Sequence, residues 1–487
     1  MQYTYQKDKL PKPIYAGHDD WVALYYKAWE LAFENVDYIQ KENWKPQMTC
    51  MPGVGIVWQW DSCFMVLITK YANGTITALN NLDNMYRLQR EDGFIAMAYK
   101  IDTEDEAYVG RINPPLYAWA EWEHFLVTGD DSRFDRVVPI IEKLYTYIEN
   151  NRRRNTGLYW FEDSGSSGMD NSPRAGYPAA NLLGSDVCFI DLGGQQALTA
   201  KCLSQMYAHM GDMEKSKFFA EENARICALI NKYHWHEGTG FYYDFFSRAN
   251  AGQRVKLINT KTMAAAWPVL CGAAQGEKLD RVLEHFFNPD EFYTKIPFAT
   301  LSKDDLNYDE KGGYWLGGVW APTNYALIRA LTQNGNKTKA TAAAIKYLDG
   351  MCRVYEDPET ATIWEAYAPE DFKPSSVEWG DRVRPDFVGW SGLAPITMLI
   401  ENIIGIHCNA ERNEIVYDVA PTVTSGVENL LFAGGTVSIV TTDYNAQNQK
   451  ATVTVTAEKP FTLRVNVPWK TEETVWEIKG GTKMYQL

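Results

Sequence analysis

Two acidic residues in aromatic surroundings are the side chains of this sequence best suited to proton-transfer chemistry. Asp170 lies in the loop formed by residues 167–174, where glycine and proline interrupt any helical or alternating pattern. Glu365 lies between Trp364 and Tyr367, shortly before a proline. A carboxyl group among aromatic side chains is poorly solvated, so its pKa can shift towards the value that proton transfer requires. One carboxyl that donates a proton and one that accepts a proton form a general acid–base pair.

Simpler roles are open for both acids. Asp170 could cap backbone groups in an Asx-turn, and Glu365 could be an ordinary surface residue. The two residues belong to different loops, however, so they could face each other across one pocket. Paired carboxyl groups on either side of a bond, between aromatic platforms, are what glycoside hydrolysis requires. Their separation sets the stereochemical outcome, with about 6.5–9.5 Å for inversion and about 5–5.5 Å for retention.

Other loop-to-helix junctions add residues that could bind a sugar. Asp61, beside two tryptophans, could recognise sugar hydroxyls or could simply cap a helix. Arg111 could donate a fork of hydrogen bonds to a hydroxylated ligand, or it could be a surface arginine. The tryptophans beside Gly317 and Gly318 could stack on a ligand or pack beneath the loops. No Gly-x-Ser-x-Gly elbow, dinucleotide-binding loop or metal spacing of histidines competes with these interpretations.

The elements that must position these residues are predicted to be helical. A first amphipathic helix is predicted from Asp19 to about Glu42, and a second from Asp61 to Tyr71. Five joints, each with a glycine that suits a helix end, predict five tight helix pairs, and the first and last helices could form a sixth. About twelve helices favour a closed toroid over a flat solenoid, whose repeats would be more uniform in length. The joints contain Gly74, Gly129, Gly211, Gly276 and Gly335.

Beyond Gly405 the sequence changes to alternating, β-branched segments separated by turn residues, which predicts a small antiparallel β-sandwich. The chain is therefore divided into a mainly α catalytic domain at residues 1–404 and a β-sandwich domain at residues 405–487. The long loops between helix pairs would gather at one end of the toroid and build the site there. The β-sandwich contains no polar cluster that indicates chemistry, so we expect it to contribute no acid.

Composition and charge restrict the classes of partner. The 487 residues carry a net charge of −15, which argues against nucleic acid and anionic membrane surfaces and favours a neutral or polar small substrate. The eight cysteines show no zinc or iron–sulfur spacing, and no metal or cofactor is expected. No apolar run is long enough to span a bilayer, and residues 1–13 do not resemble a signal peptide. These features favour a cytoplasmic protein, or a periplasmic one if a signal peptide has been removed.

Six short motifs between residues 51 and 400 contain the candidate residues. They are Trp58-Gln59-Trp60-Asp61-Ser62-Cys63-Phe64, Arg111-Ile112-Asn113-Pro114-Pro115, Ser167-Gly168-Met169-Asp170-Asn171-Ser172-Pro173-Arg174, Gly317-Gly318-Val319-Trp320-Ala321-Pro322, Trp364-Glu365-Ala366-Tyr367 and Phe387-Val388-Gly389-Trp390-Ser391-Gly392.

In this order, the motifs resemble glycoside hydrolase family 63. This group of inverting α-glycosidases includes the processing α-glucosidases and the mannosylglycerate hydrolases, with trehalases as more distant relatives. The resemblance implies an (α/α)6 barrel. It also implies that Asp170 matches the general acid and Glu365 the general base, while Asp61, Arg111 and Arg174 match residues that hold the sugar. Unlike many members, this chain enters its first helix without a large N-terminal β-domain.

The sequence thus predicts an inverting, exo-acting α-glycosidase that hydrolyses an α-linked glucoside or a short α-glycosyl conjugate. A trehalase or a glycosyl-glycerate hydrolase is the alternative within enzymes, and a catalytically silent sugar-binding protein is the alternative from another class. A small oligosaccharide or glycoside is the expected substrate. The predicted substrate-binding residues are Trp58, Trp60, Asp61, Phe64, Arg111, Asn113, Arg174, Trp315, Trp320, Trp364 and Trp390.

Overall fold

The computed structural model describes residues 4–37, 41–175, 183–247, 256–378, 380–419, 423–445, 447 and 449–487. These residues form a helix-rich domain followed by a sheet domain, as the sequence predicts. Twelve helices longer than a single 3₁₀ turn are found in the described part of the chain, and the last of them is a π-helix. They are α1 (Asp19–Glu34), α2 (Gln59–Thr69), α3 (Leu79–Tyr86), α4 (Tyr117–Thr128), α5 (Phe134–Asn151), α6 (Ile190–His209), α7 (Met213–Tyr233), α8 (Ala266–Cys271), α9 (Glu277–Phe286), α10 (Ala321–Gln333), α11 (Lys337–Glu356) and α12 (Ala394–Ile404).

The strands form two larger sheets and several two-stranded ribbons. Ribbons of short strands brace the loops of the helical domain, and the two larger sheets form the second domain. The strands are β1 (Lys12–Tyr15), β2 (Val36–Asp37), β3 (Gln47–Met48), β4 (Ile56–Trp58), β5 (Ala98–Lys100), β6 (Val187–Cys188), β7 (Trp235–His236), β8 (Phe241–Tyr242), β9 (Phe245–Phe246), β10 (Ile406–Asn409), β11 (Glu414–Asp418), β12 (Ser425–Phe432), β13 (Gly435–Asn445), β14 (Lys450–Ala457), β15 (Phe461–Asn466), β16 (Thr474–Ile478) and β17 (Gly481–Gln486).

Helices end and restart around all five predicted joints, although the C-cap of α8 is Gly272 and Gly276 is the N-cap of α9, and Gly74 lies beyond the C-cap residue of α2. All five joint glycines have a positive φ, between 54° and 85°. At the end of α4, for example, Gly129 has a φ of 72° and its N–H donates to Phe125 O at 2.8 Å. A left-handed residue with this hydrogen bond satisfies a carbonyl that the ending helix would leave unpaired. Glycine adopts this conformation without the steric cost that a Cβ would bring, so the sequence signal for the joints is local and strong.

The first helix is shorter than predicted. It ends at Glu34, not near Glu42, and part of the predicted extension (residues 38–40) lies outside the described residues. Asn35 stops the helix because its carbonyl accepts a hydrogen bond from Thr49 N at 2.8 Å. The chain then continues as β2, which pairs with β3. Tertiary pairing has overridden a helical pattern that continues in the sequence.

Alternate helices of the helical domain contact one another in chain order. Helices α2, α4, α6, α8, α10 and α12 contact one another in this order, and α12 also contacts α2. Helix α1 packs on both α11 and α12. The loops that carry the candidate residues lead into the N-terminal ends of these helices: Trp58 precedes α2, Trp320 precedes α10, and Trp390 precedes the 3₁₀ turn that leads into α12.

The sheet domain differs from the prediction in two respects. Its five-stranded sheet has the order β1-β12-β13-β14-β17, so a strand from the N-terminal part of the chain completes a sheet that was predicted to be C-terminal only. In the four-stranded sheet, of order β10-β11-β15-β16, the β11–β15 pair is parallel, so the sandwich is not wholly antiparallel. Both pairings join segments that are distant in sequence, which hydrophobic alternation does not specify.

The sheet domain lies against the joints of the helical domain. Leu431 N donates to Asn73 Oδ1 at 3.0 Å beside the first joint, and Ala433 N donates to Val127 O at 3.1 Å beside the second. Lys337, at the start of α11, forms an ion pair with Asp418 at 2.7 Å. Buried apolar side chains form one continuous cluster through both domains.

Candidate active site

The loop that carries Asp170 is folded by its own hydrogen bonds. Ser166 N donates to Asp163 Oδ1 at 2.8 Å, and Ser167 Oγ donates to Ser164 O at 2.7 Å. Asp163, rather than Asp170, therefore makes the Asx-type turn that the sequence allowed. Gly168 has a φ of 81°, and a Cβ at this position would lie 2.3 Å from the indole of Trp60. The loop is thus pressed against the first turn of α2, which also carries Asp61.

Two predicted sugar contacts, Asn113 and Phe64, support Trp60. Asn113 is fully buried, accepts from Trp60 N at 3.2 Å and donates to Ser166 O at 3.0 Å. Phe64 is also fully buried and packs edge-on against Trp60, with ring centroids 5.5 Å apart. Both side chains are thus in contact with Trp60 and have no exposed surface of their own, and their predicted contact with substrate stays a prediction.

Four tryptophans, one from the first turn of α2 and three from two loops, meet beside the acids. Trp60 lies 5.9 Å from Trp390 and 6.1 Å from Trp315, centroid to centroid. Trp315 stacks on Trp320 at 4.2 Å, and both are essentially buried, and their predicted contact with substrate stays a prediction. Trp60 and Trp390 retain 5% and 6% exposure. They are the members of this tryptophan cluster with surface left for a ligand.

Glu365 is held firmly by its neighbours. Its Oε1 accepts from the hydroxyl of Tyr314 at 3.2 Å, and its Oε2 accepts from Arg384 N at 3.2 Å. Its carbonyl oxygen accepts from Trp390 Nε1 at 2.9 Å, which ties the acid to the tryptophan cluster. Trp364 is largely buried, and its indole N–H donates to Thr360 O at 3.0 Å. Glu365 therefore has a fixed orientation, which a proton-transfer group requires.

The acids share one electrostatic environment. Asp170 is an exposed residue, yet protein atoms crowd around its carboxyl; this desolvation, with the charges of Glu365 and Asp61, raises its pKa to about 7. Burial also raises the pKa of Asp61 to about 7, although the thiol of Cys50, which donates at 3.2 Å, opposes the shift. Burial raises the pKa of Glu365 as well. Three carboxyl groups that share a field do not all ionise together, so protons remain in the site near neutral pH.

Replacing Asp61 with Asn should stabilise the fold more at pH 8 than at pH 4. The pKa of Asp61 is about 7 in the folded state and 3.8 ordinarily, so the unfolded chain loses this proton first and stability falls as pH rises between these values. We expect the gain in unfolding free energy from Asp61→Asn to be roughly 2–4 kcal/mol larger at pH 8 than at pH 4. Urea unfolding at the two pH values measures this difference.

Asp83 provides a control, because its pKa is shifted in the opposite direction to that of Asp61. Burial alone would raise its pKa, but hydrogen bonds from Arg133 and Lys45 lower it to about 2. Asp83 is thus ionised in the folded state at both pH values, and Asp83→Asn should reduce stability by a similar amount at pH 4 and pH 8. An Asp61→Asn gain that is the same at both pH values would contradict the raised pKa of Asp61.

Arg111 and Trp58 lie at the edge of the site. Arg111 is partly exposed and forms an ion pair with Asp163 at 2.7 Å. Asp163 in turn contributes to the raised pKa of Asp170. Trp58 is partly exposed and packs against the exposed Tyr108, with ring centroids 5.4 Å apart. The structure therefore leaves both residues accessible to a ligand, and their predicted contact with substrate stays a prediction.

Arg174 forms two buried ion pairs. Its side chain is fully buried, and its guanidinium donates to Asp191 at 2.7 Å and to Asp244 at 2.6 Å. A second pair of bonds, at 3.0 and 2.8 Å, completes both interactions. These bonds engage all three guanidinium nitrogens, which favours a structural role for Arg174, and its predicted contact with the sugar stays a prediction. It fixes the end of the Asp170 loop to the start of α6, where Asp191 lies.

Sequence reasoning missed several residues that shape the site. Asp191 and Asp244 carried no signal that they pair with Arg174, and Cys50 gave no signal that its thiol contacts Asp61. Tyr314 was visible only as part of an aromatic loop, although the two glycines before it indicate an unusual backbone. Within the described residues, no group of three His, Cys, Asp or Glu side chains could hold a metal ion, and no helix is long and apolar enough to cross a membrane.

The match to a known family shows the class of this chain, a glycoside hydrolase. Residues 56–378 match the family described as the mannosylglycerate hydrolase MGH1-like glycoside hydrolase domain, and the chain belongs to this family. The recognition of a family 63-like glycosidase from the six motifs is thereby confirmed.

Individual relatives are similar at low identity. An uncharacterized protein of Borreliella burgdorferi is 25% identical over 492 residues, which cover 98% of each chain. A probable mannosyl-oligosaccharide glucosidase of Schizosaccharomyces pombe is 24% identical over 302 residues, which cover 59% of this chain and 34% of that protein. Among solved structures, the family 63 mannosylglycerate hydrolase of Thermus thermophilus in complex with glucose aligns with a TM-score of 0.62 at 17% identity, covering 77% of this chain and 100% of that chain. This last similarity shows the fold.

Proposed function

We propose that this glycoside hydrolase is an inverting, exo-acting α-glycosidase that acts on an α-linked glucoside or a short α-glycosyl conjugate. The observation that carries the proposal is the unequal pair of acids. Asp170 has a pKa raised to about 7 and keeps its proton near neutral pH, whereas the carboxylate of Glu365 accepts hydrogen bonds from Tyr314 and Arg384. Burial raises the pKa of Glu365 as well, so the two roles are assigned by the hydrogen bonds: those to Glu365 favour its ionised form, which suits a base, while Asp170 is left to donate a proton.

In the proposed reaction, Asp170 protonates the glycosidic oxygen while the bond from that oxygen to the anomeric carbon breaks. Glu365 removes a proton from a water molecule on the opposite face of the sugar, and the water oxygen forms the new bond to the anomeric carbon. Inversion requires space for that water, so the two carboxyl groups are expected to lie about 6.5–9.5 Å apart with substrate bound. Trp60 and Trp390 would supply the stacking surface for the ring.

We also propose that the six helix pairs close into an (α/α)6 barrel. The order of contacts supports this, because α12 returns to α2 after the sequence of helix contacts has run once through the domain. The candidate acids then lie at one end, while the sheet domain lies at the other and adds no acid to the site. The buried stack of Trp315 on Trp320, which lies beside Trp60, would close one side of the site, and this favours attack at a chain end over attack within a chain.

The remaining parts of the proposal concern substrate and compartment. A trehalase and a glycosyl-glycerate hydrolase share the same acid pair, so the family match is compatible with either. A silent sugar-binding protein would use the same aromatic surface without turnover. All eight cysteines are free, which supports the proposed cytoplasmic location.

A substrate panel tests the proposal. The protein is incubated with aryl α-glucosides, α-linked disaccharides, trehalose and glycosyl-glycerates, and the anomer released first is identified by proton NMR. Release of the β-anomer from an α-glycoside supports inversion, and release of the α-anomer would exclude it. Binding of a glycoside without hydrolysis across the panel would favour the silent binding protein.

A further inference from the structure

Tyr314 has a backbone conformation that a residue with a side chain seldom adopts. Its φ is 66°, in the left-handed region, where the Cβ crowds the following carbonyl. Both of its backbone polar groups are engaged: Tyr314 N donates to Ser376 O at 2.7 Å, and Tyr314 O accepts from Trp320 Nε1 at 3.0 Å. A conformation of this kind persists only where its surroundings determine it, and such residues are frequent at functional sites.

Asn171 holds the backbone on both sides of Tyr314. Its amide nitrogen donates to Gly313 O at 2.9 Å, and its Oδ1 accepts from Trp315 N at 2.8 Å. Asn171 is buried and follows Asp170 directly in the sequence. The loop that presents Asp170 is therefore fastened to the residue before Tyr314 and to the residue after it.

The side chain of Tyr314 reaches Glu365. Its hydroxyl donates to Glu365 Oε1 at 3.2 Å. Its ring lies edge-on to Trp320, with centroids 4.8 Å apart and an interplanar angle of 86°. This packing restricts rotation of the ring, so the hydroxyl stays directed at one carboxyl oxygen, while Arg384 N occupies the other at 3.2 Å.

We propose that Tyr314 is the positioning residue for Glu365 and that Asn171 sets the conformation in which it acts. The inference rests on the proposed function, in which Glu365 is the general base. One continuous set of contacts then runs from Asp170 through Asn171 and Tyr314 to Glu365. These contacts fix the position of the base relative to the acid. A base fixed in this way binds the attacking water molecule in one orientation.

Other charged and titratable groups face Glu365 from the neighbouring elements. Arg384 favours its ionised form, together with the hydrogen bond from Tyr314, while burial has the larger and opposite effect on the pKa of Glu365. Asp170, Asp61 and the Cys50 thiol each have a pKa raised in part by the charge of Glu365. Loss of the tyrosine hydroxyl removes a donor to the carboxylate and should raise the pKa of Glu365.

Tyr314→Phe tests the positioning role. We expect kcat on an α-glucoside to fall roughly tenfold, the acidic limb of kcat/KM to move up by about one pH unit, and KM to change less than about twofold, since the bond lost is to the ionised base. The direction follows because a base with a higher pKa is protonated, and inactive, at a higher pH. The matched control is Tyr308→Phe, since the hydroxyl of Tyr308 makes the same kind of bond to Glu370, at 3.0 Å, away from the acid pair. It should leave the limb in place.

Asn171→Ala tests the second part. It should move the acidic limb in the same direction as Tyr314→Phe, and the double variant should move it no further, because both changes remove one coupled unit. The matched control is Asn84→Ala. Asn84 clamps the backbone of Lys45 in the same way, at 3.0 and 2.9 Å, and its loss should lower Tm without moving the limb.

A direct titration makes the test independent of turnover. The pKa of the Glu365 carboxyl is followed by ¹³C NMR in the wild type and in Tyr314→Phe, with Glu365→Gln to assign the signal. An upward shift in Tyr314→Phe supports the proposal, and an unchanged pKa overturns it. If Asn171→Ala only lowers Tm, as Asn84→Ala should, the part assigned to Asn171 is wrong. If no glycoside is hydrolysed by the wild type, the proposed function fails, while the titration still decides the role of Tyr314.

Discussion

Exchange of Asp170 for Asn, or of Glu365 for Gln, is expected to lower kcat by about 10²–10⁴-fold with no loss of Tm or of ligand affinity, since each variant removes a group whose pKa is raised by burial. Each substitution removes a proton donor or acceptor but keeps the shape of the side chain. Steady-state kinetics on an α-glucoside, with thermal melts and ligand titration, measures the three quantities. Glu370→Gln is the matched control, because Glu370 also accepts a bond from a tyrosine but lies outside the acid pair.

The two variants should also differ from each other. A glycoside with a good leaving group needs little protonation, so Asp170→Asn should lose less activity on an aryl glycoside than on a disaccharide, whereas Glu365→Gln should lose activity on both. Because Asp170 must keep its proton and its pKa is about 7, wild-type kcat/KM should decline above about pH 7. Near-normal activity of either variant on a disaccharide would remove that residue from its proposed role.

Replacement of Arg174 with Leu is expected to lower the free energy of unfolding by roughly 3–5 kcal/mol. The side chain is fully buried, and its loss would leave the carboxyl groups of Asp191 and Asp244 without their cation. Such unpaired buried charges are costly because water cannot replace the lost partner. Urea unfolding near pH 7 measures the effect.

A surface arginine supplies the control for this second prediction. Arg281 pairs with the exposed Glu237 at 2.7 Å, so Arg281→Leu should change stability by less than about 1 kcal/mol. The experiment also separates the two interpretations of Arg174. If Arg174→Leu has the same free energy of unfolding as the wild type but binds substrate weakly, Arg174 contacts the sugar as the sequence predicts and does not have the structural role.

The difference between these two interpretations shows what the sequence could and could not predict. The glycine joints and the helix pairs were predictable, because a helix end is encoded by a few neighbouring residues. The acids were predictable as well, since each stands in a short motif. The partners of Arg174 were not, because Asp191 and Asp244 lie 17 and 70 residues away and only the tertiary fold brings them together.

The burial of individual side chains was the second property that could not be predicted from the sequence. Trp60 and Trp320 both stand at the start of a helix, beside residues of the same kind. Only packing decides that Trp60 keeps an accessible edge while Trp320 lies behind Trp315 with no accessible surface. The same holds for Tyr314, whose contact with Glu365 depends on a backbone conformation that Asn171, on another loop, holds in place.

The pairing of β1 with β12 constrains the order in which the molecule can be completed during synthesis. Each helix pair is local and can form soon after it leaves the ribosome, but Lys12 is paired with Glu428, about 400 residues later. The first strand therefore waits as an unpaired edge until almost the whole chain has been made. A nascent or truncated chain that stops before β12 exposes this edge, which leaves the N-terminal segment open to pairing with another molecule before folding is complete.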